Sequence, residues 1–222
     1  MVFMIITRRF SSFRHERFLQ HFLMKKLLIA SNNDHKFQEF SALLAHLPLH
    51  LVKPIELGIE LDVAETGESY YSNALIKARA FHQASGLPVL ADDSGLEVVA
   101  LDGAPSIHSH RFVPIEKASD RDRCFYLLGR LAEKPQPWIA AFQCTAMLYI
   151  NHNQVYSSHG LCPGQIITDY RGENGFGYDP IFLLAGQNLT MAELSSELKN
   201  QLSHRARAIQ GFDALRDWAL QE

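Results

Sequence analysis

Residues 26–47 read KLLIASNNDHKFQEFSALLAHL. Leu27, Leu28, Ile29 and Ala30 make a short apolar run that ends in Ser31-Asn32-Asn33-Asp34, after which Phe37, Phe40, Leu44 and Leu47 recur at helical spacing. The pattern predicts strand, polar turn, helix. Such a turn points free backbone N–H groups at whatever occupies it. The helix dipole adds partial positive charge there, and Lys36 adds a full one. Ser31, Asn32, Asn33, Asp34, His35 and Lys36 thus outline a candidate phosphate cradle, the alternative being simply a capped helix start. It is not a Walker loop, because GxxxxGK[ST] occurs nowhere in the chain.

Downstream of this unit, Leu51-Val52-Lys53 suggests a second strand, followed by an acidic loop with Asp62, Glu65 and Glu68. Tyr71, Leu75, Ala78 and Phe81 predict a helix stopped by Gly86. Pro88–Ala91 reads as strand, Asp92-Asp93-Ser94-Gly95 as a turn by composition, and Leu96–Leu101 as strand again. Ser119 can cap a helix whose inward face is Cys124, Leu127, Leu128 and Leu131. Residues 138–150 alternate as a long strand, Asn151-His152-Asn153 signals a hairpin into Val155–Leu161, and two more strands are expected at 166–167 and 181–184. Thr190 with Glu193 forms a capping box, and a last helix from about Ser203 places Ala208, Ile209, Phe212, Leu215 and Ala219 inward. Parallel βα units at the start and hairpins in the middle imply an α/β fold with a mixed sheet.

The 222 residues suit one domain, read as 24–222, with 47% hydrophobic and 20% charged residues. Lys+Arg 21 against Asp+Glu 24 gives a charge of −3, without the basic excess of a nucleic-acid binder. No apolar run reaches the ~18–20 residues of a membrane span. Cys124, Cys144 and Cys162 are odd in number and lack CxxC spacing, so buried thiols in a reducing, cytoplasmic setting are expected. Residues 1–23 stand apart, with Arg8, Arg9, Arg14 and Arg17 against the single acid Glu16. The apolar start precedes the basic cluster, the wrong order for a secretory signal. The composition resembles a mitochondrial presequence. The reading adopted is a dispensable extension, because every fold signal begins after Met24.

Three further stretches carry chemistry. Asp92 and Asp93 at a strand end, with Glu65 in another polar loop, suit a hard cation such as Mg²⁺, or are solvated turn acids. In Gly175-Phe176-Gly177-Tyr178-Asp179-Pro180, two glycines flank an aromatic that either stacks on a base or plugs the core. Ser203-His204-Arg205, with Lys199 four residues before Ser203, clusters donors at a helix start, where cations oppose the dipole and a bound anion or carbonyl would relieve them. Cradle, carboxylates, ring and donors together read as a nucleoside triphosphate site.

The ordered motifs Ser31–Lys36, Glu65-Thr66-Gly67, Ala91–Leu96, Gly103–Arg111, Gly175–Phe182 and Lys199 with Ser203-His204-Arg205 resemble those of the inosine triphosphate pyrophosphatase family, the dITP/XTP pyrophosphatases. The resemblance spans residues 26–220. It implies a long twisted mixed sheet flanked by helices, two lobes with a central active-site cleft, a homodimer, and Mg²⁺-dependent hydrolysis of ITP, dITP or XTP to the monophosphate and pyrophosphate. By motif, Ser31, Asn33 and Lys36 would hold the triphosphate. Glu65 and Asp93 would serve the metal, and Asp93, beside Ser94, would orient or deprotonate the attacking water. Phe176 would stack on the base, while Tyr178, Asp179, Lys199, His204 and Arg205, with Gly177, would shape its pocket. Asn32, His108 and Asn174 depart from the family pattern. A pyrophosphatase for other modified or pyrimidine nucleotides, and a non-catalytic nucleotide sensor, are the competing readings. The intact acids argue against the sensor.

Overall fold

All ten residues of β3 (Val89–Val98) pair with β5 (Trp138–Asn151), and this antiparallel ladder is the axis of the sheet. The computed structural model describes residues 24–221, so the basic stretch before Met24 lies outside the described residues. Among them the sheet order is β2 (Leu49–Val52), β1 (Lys25–Ile29), β3, β5, β6 (Gln154–Ile166) and β7 (Phe182–Leu184). A short β4 (Pro105–Ser106) pairs with β3. β1 runs parallel to β2 and β3, and all other pairings are antiparallel. The expected mixed α/β sheet is therefore present.

Six α-helices complete the described chain: α1 (Asp34–Leu44), α2 (Tyr70–Ser85), α3 (Asp120–Leu131), α4 (Ser196–Leu202), α5 (His204–Gln210) and α6 (Asp213–Leu220). Successive residues of a strand face opposite sides of a sheet. Leu27, Ile29, Leu90, Cys144 and Leu148 accordingly pack with Phe40 and Leu44 of α1, Ala208 of α5 and Leu215 of α6. Leu28, Val89, Ala91 and Met147 pack with Ala74, Ala78 and Phe81 of α2. A third cluster joins Leu96 and Val98 to Cys124 and Leu127 of α3 and to Phe182.

Several expectations change. Asp92-Asp93-Ser94-Gly95 is not a turn but the middle of β3. Every one of these residues has a partner opposite it on β5, and tertiary pairing overrides turn propensity. Gly95 is required by close approach, since a Cβ there would stand 2.2 Å from the Ser106 carbonyl oxygen. β3 ends at Val98, and Val99–Leu101 is a 3₁₀ turn. The strands expected at 155–161 and 166–167 are one continuous β6. The single helix expected from about Ser203 is two, α5 and α6, broken at Gly211-Phe212; Ser203 caps α5, and α4 precedes it as a separate helix. On α2, Tyr71 points outward and the inward face runs through Asn73, Ala74, Lys77, Ala78 and Phe81. The stop at Gly86 and the Ser119 cap stand as expected, and Asn33 caps α1.

Candidate active site

Every sequence-predicted site residue except Asp34 and Arg205 lines one cavity of about 600 Å³. Its floor is the middle of β3, and β3's pleat decides the chemistry. Asp92 and Asp93 are neighbours in sequence but project to opposite faces of the sheet.

Asp92 faces α1 and α5. Lys36 Nζ donates to both of its oxygens at 3.1 and 3.0 Å, and Arg205 Nη2 donates to Oδ2 at 3.0 Å. Burial alone would raise this carboxyl, but Lys36 and Arg205 together hold it well below the usual carboxylate range. Arg205 is 1% exposed. Its Nη2 also donates to Ser94 Oγ and its Nη1 to Glu39. Glu39 in turn accepts from Lys199 at 2.8 Å. Burial opposes the Glu39 charge, yet Arg205 and Lys199 bring its pKa down to about 2. Lys199 Nζ also donates to Asp179 Oδ2 at 2.7 Å. Glu39 was not picked out from sequence; its position one helical turn after Lys36 is the signal that could have found it.

Asp93 faces α2. Asn73 Nδ2 donates to its Oδ2 at 3.0 Å, and Lys77 Nζ lies 3.5 Å from Oδ1 and 2.7 Å from Glu65 Oε1. Burial and the nearby Glu65 raise the Asp93 carboxyl although Lys77 opposes them. Asn73 and Lys77 were also missed. Their signal was a polar amide and a lysine at the inward positions of α2. Glu65 and Asp93 thus converge on one positive group. A pair of carboxylates with open cavity beside them fits Mg²⁺, which takes one or two carboxylates and completes its shell with phosphate and water. Among the described residues no three His, Cys, Asp or Glu side chains gather as a closed metal cage.

The glycine-flanked loop resolves both readings offered for it. Tyr178 plugs the core, 3% exposed, with its hydroxyl donating to Ser109 O at 2.9 Å. Phe176 stays half-buried in the cavity wall. Asp179 accepts from the Phe176 N–H at 3.0 Å, and Asp120 accepts from the Gly177 N–H at 2.7 Å. His204 is buried against Phe142, ring centroids 4.9 Å apart, and its Nδ1 has no hydrogen-bond partner. Burial and the adjacent Arg205 push its pKa well below 6.5, so it is a neutral imidazole at neutral pH. Asp34 faces away and pairs with Lys53 at 2.6 Å. Asn32 donates to Leu61 O at 3.2 Å, tying the cradle to the loop that carries Glu65.

Lys36, Lys77, Arg123 and Lys199 each bind carboxylates. Among the described residues Arg111 is the cavity-lining lysine or arginine without one. Its Nη2 donates to the Glu65 backbone carbonyl at 3.0 Å. The three cysteines are buried, and burial pushes the Cys124 and Cys144 thiols up to about 12 and Cys162 to about 11, which removes them as nucleophiles.

Comparison with known proteins gives one consistent result. A model of the Ham1 family matches residues 27–215. A dITP/XTP pyrophosphatase of Vibrio parahaemolyticus is 42% identical over 194 residues, covering 86% of this chain and 96% of that one. One from Xanthomonas oryzae is 43% identical over 206 residues, 84% and 94% of the two chains. The solved HAM1 protein of Coxiella burnetii superposes with a TM-score of 0.78 at 37% identity, covering 86% and 98%.

Proposed function

This chain belongs to the Ham1 family, and on that premise we propose that it hydrolyses non-canonical purine nucleoside triphosphates, the dITP/XTP class, to the monophosphate and pyrophosphate. One observation carries the reading: the Ser31–Lys36 turn, the Glu65–Asp93 pair and the Phe176 ring share one cavity. A triphosphate brings about four negative charges, and displacement at phosphorus builds more on the leaving oxygens. Lys36 and Arg111, with the positive end of the α1 dipole, meet that charge. Glu65 and Asp93 would hold Mg²⁺, which would supply further neutralisation. Asp93 orients the attacking water and takes its proton as the water oxygen bonds the α-phosphorus and pyrophosphate leaves with the bridging oxygen. No covalent enzyme intermediate is needed.

Base choice follows from the donors still open. Lys199 has three N–H bonds, and Glu39 and Asp179 take two. His204 lines the same cavity, and its imidazole carries one further N–H. Hypoxanthine and xanthine present a keto oxygen at position 6, an acceptor, whereas adenine presents an amino group, a donor. Adenine would set donor against donor, a mismatch worth up to ~10⁴-fold. Arg205, its Nη groups engaged by Glu39, Asp92 and Ser94, serves as a positioning residue for those groups. Pyrophosphate release from ITP, XTP, dUTP and ATP, with and without Mg²⁺, tests the reading. Metal-dependent release from ITP and XTP well above ATP is expected, and equal rates on ATP or dUTP would overturn it.

Arg111 gives a sharper test of how the phosphates are held. Losing a charge-assisted bond to a phosphate is worth about 1.5–3 kcal/mol. Arg111→Ala should therefore lower kcat/KM for ITP by about tenfold or more. It should weaken inhibition by pyrophosphate in parallel and leave the ITP/ATP ratio unchanged. Unchanged pyrophosphate inhibition would place Arg111 outside the phosphate site.

A further inference from the structure

His35 and Phe176 reach each other across the cavity from unrelated parts of the chain. His35 sits in the first turn of α1, where its backbone N–H donates to the Asn33 cap at 2.9 Å and its side chain is exposed. Phe176 belongs to the loop between β6 and β7. Their rings stack, 5.4 Å between centroids and 20° between planes.

The two partners differ in freedom. Phe176 is held. Asp179 accepts its backbone N–H, and Asp179 is itself fixed by Lys199. Gly175 before it has φ 78°, and a Cβ there would lie 2.1 Å from Asp179 Oδ2. Among the described residues no such hold acts on the His35 side chain beyond its ring contact, and two torsions separate the imidazole from the helix.

We propose that His35 is the second stacking partner of the base: the purine enters between the His35 imidazole and the Phe176 ring, so that the base is clamped on both faces. The proposal rests on the nucleotide reading above. Flat carbon surfaces touch at roughly 3.5 Å, so an inserted base needs roughly 7 Å between the two rings. The present separation falls short by roughly 2 Å, a movement within reach of an exposed side chain on a helix start. Without nucleotide, the imidazole covers the face of Phe176 that would otherwise be wetted. With nucleotide, the same ring covers the base. His35 directly precedes Lys36, so the residue that grips the base is continuous with one that meets the phosphates. A two-sided clamp also favours a two-ring purine over a one-ring pyrimidine, because stacking energy scales with overlapped area.

The test compares wild type with His35→Ala and His35→Phe, using ITP turnover, inosine monophosphate inhibition and pyrophosphate inhibition. Stacking of one aromatic pair is worth about 0.5–1.5 kcal/mol, a factor of roughly 2–12. His35→Ala should raise KM for ITP and the inhibition constant for inosine monophosphate by that factor, with kcat within about twofold. His35→Phe should restore both, and pyrophosphate inhibition should not change in either variant. A KM that is unchanged or lower in His35→Ala would show the imidazole to be a plug or a bystander and overturn the clamp. Parallel weakening of pyrophosphate inhibition would overturn it in favour of a phosphate contact, and failure of phenylalanine to rescue would overturn it in favour of a hydrogen bond from an imidazole nitrogen. Failure of the wild type to release pyrophosphate from ITP is a separate result, which strikes the nucleotide reading instead.

Discussion

Asp92→Asn is expected to lower the free energy of unfolding by about 3–5 kcal/mol, the cost of leaving a buried ionic partner uncompensated. Asp92 is 2% exposed and binds Lys36 and Arg205, and Arg205 is 1% exposed. Asparagine keeps the shape and one acceptor, but removes the charge that holds both cations. The guanidinium cannot shed its proton to escape. Denaturant titration of the purified chain reads the effect. A surface control, Asp213→Asn in the exposed Asp213–Arg216 pair, should shift it by no more than about 0.5 kcal/mol. A loss below about 1 kcal/mol in Asp92→Asn would show that solvent or neighbouring carboxylates replace the charge. The same cluster sets acid sensitivity. Burial notwithstanding, Arg205 and Lys199 hold Glu39 at about 2, below the usual range of a glutamate, and Asp92 is held low as well. For a depressed carboxyl the stabilisation is complete above the unfolded pKa and is lost as pH falls toward the folded one. Melting temperature should therefore decline from about pH 4.5 toward pH 2, and Glu39→Gln should flatten part of that decline.

The strand–turn–helix that carries Ser31–Lys36 was legible because its signals are local: an apolar run, a polar turn and a 3.6-residue period all lie within residues 26–47. The same holds for Phe176 between its glycines. What escaped the sequence depended on long-range pairing. Asp-Asp-Ser-Gly has turn composition, and nothing within those residues announces that a hairpin some fifty residues downstream will pair with them. That misreading hid the opposite projection of Asp92 and Asp93, and so the different work of two adjacent acids. Lys77 and Asn73 were hidden for a related reason. The helical period through Tyr71, Leu75, Ala78 and Phe81 caught the buried Ala78 and Phe81, but a search for apolar residues passes over a polar amide and a lysine on the same face. Glu39 looked like an ordinary solvent-facing helix residue until α4 and α5 brought Lys199 and Arg205 against it. The C-terminal helix was overrun because Gly211 and Phe212 do not break an apolar period, although they break the helix.

One residue further along β3, the opposite phenotype is expected. Asp93→Asn should fold with stability within about 1 kcal/mol of wild type while losing at least ~10²-fold in ITP hydrolysis. The fold should survive because each partner keeps a bond. Lys77 remains paired with Glu65 at 2.7 Å, and the asparagine carbonyl can still accept from Asn73 Nδ2. Burial and Glu65 raise the Asp93 carboxyl, which means that the folded chain holds this charge at a cost, so a neutral isostere removes an unfavourable charge rather than a stabilising one. Catalysis should not survive, because the carboxylate that would orient the water, accept its proton and share a cation with Glu65 is gone. KM for ITP should change far less than kcat, since Lys36, Arg111 and Phe176 are untouched. Single-turnover rates together with a denaturation curve separate the two effects. Near-wild-type turnover in Asp93→Asn would move the role to Glu65. A stability loss as large as that of Asp92→Asn would mean that the two faces of β3 are not divided between ionic structure and chemistry.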